Sequence, residues 1–472
     1  MSAQPDGART DGAQLDPTML SVAEAGRLLR AGQLTSVQLV DATLRRIERL
    51  DGAIHAFTLV TAEQAYQRAA TADELLARGV DLGPLHGIPY AHKDIVDVAG
   101  LATSCNSQLM AGHRADRDAE VEQLLRRAGA VLVGKATTHE FALGGPSPEL
   151  PFPPARNPWN LDHFTGASSS GSAAAVAAGL VRLAIGSDTS GSIRVPAAHC
   201  GVVGLKPTFG AVPTAGTYPL SYAMDHVGPI ARTVADAAAG FAVLAGRPDA
   251  GEIAPVADLT GTRIGYARRL AEQVGGADPE VLRVLDGAVA VLTGLGADVV
   301  EIDLPEFAAF NACGRVLMTA DAFAIHEKAI RERPGSFGRY TYQRVAPGAL
   351  LRAADVIQAD RLRRVLAERV DACFKTFDAI VTATVAATAG RLDAFPPDWP
   401  PPAALAATVT IPFNVTGHPA LSLPAGFSAG GLPVGLQLVG GYSAEPTILR
   451  LAAAFEDAAG HASRRPPLGR PG

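Results

Sequence analysis

Three short stretches of this sequence concentrate hydroxyls, glycine and a single amine in patterns that suit nucleophilic chemistry. Residues 186–197 read Gly-Ser-Asp-Thr-Ser-Gly-Ser-Ile-Arg-Val-Pro-Ala. A glycine just before Ser192 lets the chain turn tightly and expose both the hydroxyl and its neighbouring amides. Consecutive amides that face one way hold an oxyanion. An Asp188–Arg194 ion pair would brace such a loop, and a braced loop without chemistry is the simpler alternative. Residues 166–172 read Gly-Ala-Ser-Ser-Ser-Gly-Ser and run into Ala-Ala-Ala. Small side chains leading into a helix leave backbone N–H groups open to a polar site. A flexible linker is the plain alternative, but the flanking Arg156-Asn157-Pro158-Trp159 and the small-residue helix argue for order. Residues 85–94 read Leu-His-Gly-Ile-Pro-Tyr-Ala-His-Lys-Asp. Lys93 at the end of an apolar strand is either an ordinary solvated strand end or a buried amine whose pKa falls on desolvation, making it a neutral base.

The sequence uses arginine for almost all of its positive charge. Of 41 basic residues only Lys93, Lys135, Lys206, Lys328 and Lys375 are lysines, which makes the place of each worth explaining. No serine sits in a Gly-x-Ser-x-Gly elbow, so a hydrolase triad of that kind is unsupported. His139-Glu140 lacks the second histidine of a zinc protease helix. There is no phosphate-binding glycine loop with its lysine and no dinucleotide fingerprint.

The elements that must position these groups are legible from periodicity. Ser21 with Glu24 and Thr35 with Gln38 are capping boxes opening helices. A third helix covers 62–77. Strand and turn follow over 86–98, a helix over 119–128, a strand over 130–134, a small-residue helix over 172–180 and a strand over 183–185. Further along come a helix at 234–244, a strand at 262–266 and a helix at 279–295. Residues 306–378 read as mostly helical, 378–382 as a buried strand, 391–402 as a proline-rich loop, 420–423 and 434–439 as an antiparallel pair, and 444–459 as the last helix. The alternation implies an α/β fold with a large central twisted mixed sheet covered by helices on both sides. A mobile tail over 1–17 precedes one domain over 18–472: N-terminal helices 18–80, core 81–260, helical insertion about 306–378, and C-terminal strands and helix 379–465.

In this order the segments resemble the amidase signature family. Gly166 to Ser168 match the start of its signature, and Ser192-Ile193-Arg194 with Pro196 match the end. Gly134-Lys135, Arg156-Asn157-Pro158-Trp159, residues 201–208, Asp225-His226-Val227-Gly228-Pro229 and residues 431–437 match further. The resemblance implies the family's fold and a Ser–Ser–Lys amidohydrolase. Lys93 is then the neutral base. Ser168, in a cis peptide, relays protons to Ser192, the nucleophile that forms an acyl-enzyme. The amides of Thr189, Ser190, Gly191 and Ser192 form the oxyanion hole, with Ser169, Asp188 and Arg194 in support. Leu143, Gly144, Tyr218 and Phe413 are candidate pocket residues. Departures from the family pattern are Ala167, Ser170, Ser190 and His92.

This chemistry needs no metal and no organic cofactor. The implied substrate is a small amide, aryl amides and carbamates included, in a roomy apolar pocket shaped by 391–402 and by Phe209, Tyr218 and Tyr222. A pocket lined by charge would contradict that picture. A carbamate hydrolase, the amidase subunit of a tRNA-dependent amidotransferase, and an inactive binding protein on the same fold are the alternatives. The segment 338–347 differs from the charged segment usual in the amidotransferase subunit. Net charge is −6 with no basic run, so nucleic acid is not an expected direct partner. The four cysteines are scattered and fit neither a disulfide framework nor a zinc site. The N-terminus lacks a signal-peptide core and no apolar run is long enough to span a membrane. The expectation is a cytoplasmic monomer or homodimer.

Overall fold

The computed structural model describes residues 16–468 except 148, 248–250, 252 and 254–255. Most of the expected tail lies outside the described residues. At its end, Asp16 caps a short turn of helix, Pro17–Met19, by accepting from the Thr18 amide at 2.9 Å. Both capping boxes form, opening helices Val22–Arg30 and Ser36–Ile54.

Eleven strands make one mixed sheet. Across it they run Phe57–Val60, Val131–Ala136, Pro89–Lys93, Leu183–Asp188, His226–Ala231, Val203–Lys206, Ala420–Phe427, Pro433–Val439, Ala379–Ala383, Arg263–Tyr266 and Asp298–Glu301. The lysine-bearing strand Pro89–Lys93 lies parallel to Val131–Ala136 on one side and to Leu183–Asp188 on the other. It is therefore the neighbour of the strand that delivers the Ser192 loop. Helices cover both faces. Ala91, Val131, Val133 and Ala184 pack with helices Ser36–Ile54 and Ser170–Ala177 on one face, while Tyr90, Leu132, Leu183 and Ile185 point into the larger core on the other.

Strand alternation decides which chemistry each face receives. Lys93 shares the side of Ala91 and meets the serine-rich turn. His92 shares the side of Tyr90, its ring 5.1 Å away edge-to-face, and both bond the Glu122 carboxylate. The unusual His92 therefore turns away from Ser168.

The run expected to be either a linker or a helix is a helix, Ser170–Ala177, buried throughout. Its small residues let it lie against backbone. A side chain at Gly171 would collide with the carbonyls of Ala56 and Thr137, and the Gly171 amide instead donates to Thr137 at 2.9 Å. Ser170, at a place where the family uses glycine, fits because its hydroxyl donates to the Thr137 carbonyl at 3.3 Å. Residues 307–373 are largely helical, in Phe307–Glu332, Arg339–Val345 and Ala353–Cys373. Among the described residues no helix is long and apolar enough to cross a membrane.

Candidate active site

Three of the five lysines are fully buried, and each meets a different fate. Lys135 pairs with Asp94 at 2.9 Å. Lys206 donates to the Pro207 carbonyl; burial, with Arg194 repelling it, drives its pKa well down. Among the described residues, Lys93 has no carboxylate in contact. Its amine donates to the hydroxyls of Ser168 at 2.7 Å and Ser187 at 2.8 Å. Burial lowers its pKa to about 7, against an opposing pull from Asp225 and Asp188. A buried lysine that meets only hydroxyls is held as an amine able to take a proton near neutral pH.

Ser168 follows a cis peptide bond from Ala167. Its carbonyl accepts from the His139 amide and the Thr138 hydroxyl, both at 3.2 Å, so the turn is fixed from behind. The Ser169 hydroxyl donates to the Ser187 carbonyl at 3.2 Å, and the Ser169 amide donates to the Ser192 carbonyl at 3.2 Å. These bonds lock the two serine segments together.

The loop after Leu183–Asp188 is organised by Asp188. Its carboxylate takes a two-point ion pair from Arg194, Nε and Nη2 each at 2.9 Å, with both side chains fully buried. It also accepts from the Gly191 amide at 2.7 Å and the Ile193 amide at 3.2 Å. Burial alone would raise its pKa; the Arg194 charge and hydrogen bonds, with Asn414, outweigh this and hold it well below the usual carboxylate range. Arg194 is finished by the Thr410 carbonyl, Gln437 at 2.7 Å and Asn414 at 2.5 Å. Such complete pairing is what a buried ion pair requires. Gly191 takes the positive φ of the loop, +129°, and a side chain there would strike Thr410. Ser190 is not among the positive-φ residues, so its side chain fits without strain.

Ser168, Ser190, Gly191 and Ser192 open into one cavity of about 440 Å³. His139, Leu143, Gly144, Phe164, Val195, His199, Met318, Phe395 and Trp399 are among its walls. Of the expected pocket residues, Leu143 and Gly144 line it. Tyr218 lines a smaller neighbouring cavity of about 170 Å³ with Phe209, Tyr222, Ser187 and Asp225. Phe413 is fully buried and lines neither. Of the two segments expected to shape the pocket, 391–402 does so through Phe395, Trp399, Pro400 and Pro401, while the 209–222 loop gives the main cavity Leu220. This corrects the expectation of an apolar pocket: Arg315 and Arg344 also line the cavity, and their charge counts against the apolar aryl-substrate picture.

The family model for amidase matches residues 38–449. The A subunit of the glutamyl-tRNA(Gln) amidotransferase from Synechococcus sp. (strain WH7803) is 37% identical over 482 residues, covering 95% of this chain and 99% of the relative. The chain belongs to the amidase family, the amidase signature hydrolases. A solved structure from a study of the origins of an s-triazine catabolic enzyme, with inhibitor bound, superposes at a TM-score of 0.85 and 32% identity, over 93% of this chain and 99% of that one. The native peptide amidase of Stenotrophomonas maltophilia superposes at 0.81 and 33% identity, over 95% and 98%. The amidase family acts on carbon–nitrogen bonds, and this member is a hydrolase of that kind.

Several groups around this amidase site were not read from the sequence. Ser187 holds Lys93 but sits between Gly186 and Asp188 with nothing in its type to set it apart. Asp225 accepts from the Thr189 hydroxyl at 2.6 Å and the Leu220 and Ser221 amides at 2.8 and 3.0 Å. Asn414 and Gln437 lie in stretches that carried the family resemblance, yet their role as acceptors for Arg194 depends on contacts more than 200 residues apart. Arg315 and Arg344 lie in the helical region, where arginine is common and no local signal separates a cavity residue from a surface one.

Proposed function

We propose that this amidase hydrolyses a small-molecule amide through an acyl-enzyme on Ser192. Lys93 in its neutral form accepts the Ser192 proton by way of the Ser168 hydroxyl, and the Ser192 oxygen attacks the carbonyl carbon. The tetrahedral oxyanion rests on the amides of Thr189, Ser190 and Ser192; the Gly191 amide, assigned to that hole from the resemblance, is occupied by Asp188. Ser168 returns the proton to the leaving nitrogen as the C–N bond breaks. Water, activated by the same relay, then splits the ester and releases the acid. Loss of one oxyanion donor is worth about 3 kcal/mol. The observation that carries this reading is the fully buried Lys93, bonded to Ser168 and Ser187 with no carboxylate in contact.

A second reading, the amidase subunit of a tRNA-dependent amidotransferase, is favoured by the curated relatives. Against it stands the character of the cavity wall, which among the described residues holds two arginines and no carboxylate to receive the ammonium of glutamine. Release of nitroaniline from an aryl amide and its matching aryl carbamate, by purified wild type beside Ser192→Ala, tests the first reading and ranks the two bond types. Turnover by the isolated wild type, lost in the variant, supports it. Turnover unchanged in the variant refutes the serine mechanism. Glutamine-dependent activity appearing only with partner subunits favours the second reading.

A further inference from the structure

The cavity beside Ser192 carries an unbalanced charge. Arg315 and Arg344 are among its lining residues, and among the described residues no aspartate or glutamate is. Neither arginine has a carboxylate within ion-pair distance among the described residues. Arg344 lies over the Trp399 ring, 4.2 Å from its centroid, and Nη1 donates to the Leu143 carbonyl. Its Nε and Nη2 have no protein acceptor among the described residues. Arg315 lies 5.9 Å from the same ring, and its Nε donates to Asn311 at 3.1 Å. Asp398, the acid next to Trp399 in the chain, is taken by Arg339 and Gln343, each at 2.6 Å.

Burial, with Arg315 repelling it, lowers the pKa of Arg344 to about 9. A desolvated guanidinium such as Arg344, with the exposed Arg315 beside it and no counter-charge, is costly unless something else supplies one. The guanidinium fork is the side chain best shaped for a carboxylate, and here part of the fork has no protein partner. An ammonium group, by contrast, would meet two cations and no anion.

We propose that this cavity takes an amide whose non-scissile end bears a carboxylate and no ammonium group, with Arg344 and Arg315 as its binding pair. The monoamide of a dicarboxylic acid has this chemistry; glutamine, a zwitterion, does not. The proposal rests on the Ser192 reading for the reaction, but the arginines bind whether or not Ser192 is the nucleophile. It also accounts for the separation of roles in the cavity: Asp188 neutralises Arg194, whose remaining donors go to Thr410, Gln437 and Asn414, so the loop beside Ser192 has no charge to offer, and recognition falls to the helical region 307–373.

The test separates binding from turnover. Succinamate, glutaramate and adipamate are titrated by calorimetry into Ser192→Ala, beside their neutral diamides and glutamine. At least one monoamide is expected to bind ten-fold or more tightly than its diamide and than glutamine, and to lose at least ten-fold when Arg344→Gln is added. Arg315→Gln, an exposed position, gives a second reading if Arg344→Gln fails to fold. No measurable binding of any monoamide, diamides or glutamine binding as well, or anion affinity within two-fold of the parent in both arginine variants, would overturn the proposal. Ammonia released by Ser192→Ala during the titration would instead count against the serine mechanism alone.

Discussion

Lys93 and Lys135 sit on adjacent parallel strands, both fully buried, and differ in whether a carboxylate meets the amine. Asp94 keeps Lys135 paired; only hydroxyls meet Lys93, whose pKa falls to about 7. The proposed mechanism makes the neutral amine the active form, so kcat/KM is expected to rise with pH through about 7 and level off above it, as measured on any amide the enzyme turns over. Lys93→Ala should cost about a thousand-fold across that range, the scale of a lost general base. Burial lowers the proton affinity of Lys93, and Asp225, with Asp188, partly restores it; burial, and to a lesser extent the Lys93 charge, disfavours protonation of His139. Asp225→Asn should therefore move the rising limb to lower pH; a limb that stays at about 7 or climbs would show that Asp225 only shapes the loop. Rarity in an arginine-rich chain drew attention to all five lysines, and the family resemblance singled out Lys93. It did not reveal Ser187 or Asp225, because desolvation and through-space charge are properties of the packed sheet.

At the scale of elements, the Ser192 loop is held by a buried ion pair anchored to two distant segments. Arg194→Leu leaves Asp188 buried without its cation, and loss of one partner from such a pair costs about 3–5 kcal/mol. Denaturant unfolding is expected to show a loss of that size alongside loss of activity. Gln437→Ala, which removes one of several Arg194 acceptors, should cost about 1–2 kcal/mol. Long periodic elements were legible: the helix at 62–77 and the helix Val234–Leu244 fall at the expected residues. The short strands Phe57–Val60, Val203–Lys206 and Asp298–Glu301 were not, because so short a strand holds too little periodicity and the pairing partners lie elsewhere along the chain. Ser190, the departure that most challenged the family pattern, fits because Gly191 takes the positive φ in its place. The Gly191 amide was assigned to the oxyanion from the family pattern, and only the packed loop shows it bound to Asp188.

Across the whole molecule the sheet order brings the lysine strand beside the nucleophile strand, and the helical region 307–373 closes the cavity over them. Asn311, Arg315, Met318, Tyr340 and Arg344 all come from that region, so on the proposed mechanism it sets what enters while the signature segments set the chemistry. Substitutions there should change relative kcat/KM among amides more than they change the pH of the rising limb, as a substrate panel would show. On the proposed mechanism the chemistry runs on serine and lysine, so incubation with a chelator is expected to leave turnover unchanged; inhibition reversed by zinc would contradict this.

The most direct test is where a covalent adduct forms. A fluorophosphonate is allowed to react with the purified protein, and peptide mass spectrometry locates the modified residue. The account predicts one adduct, on Ser192, whose formation slows sharply in Lys93→Ala and as pH falls below about 7. An adduct on Ser168 or Ser187, or none at all in the folded wild type, would contradict it.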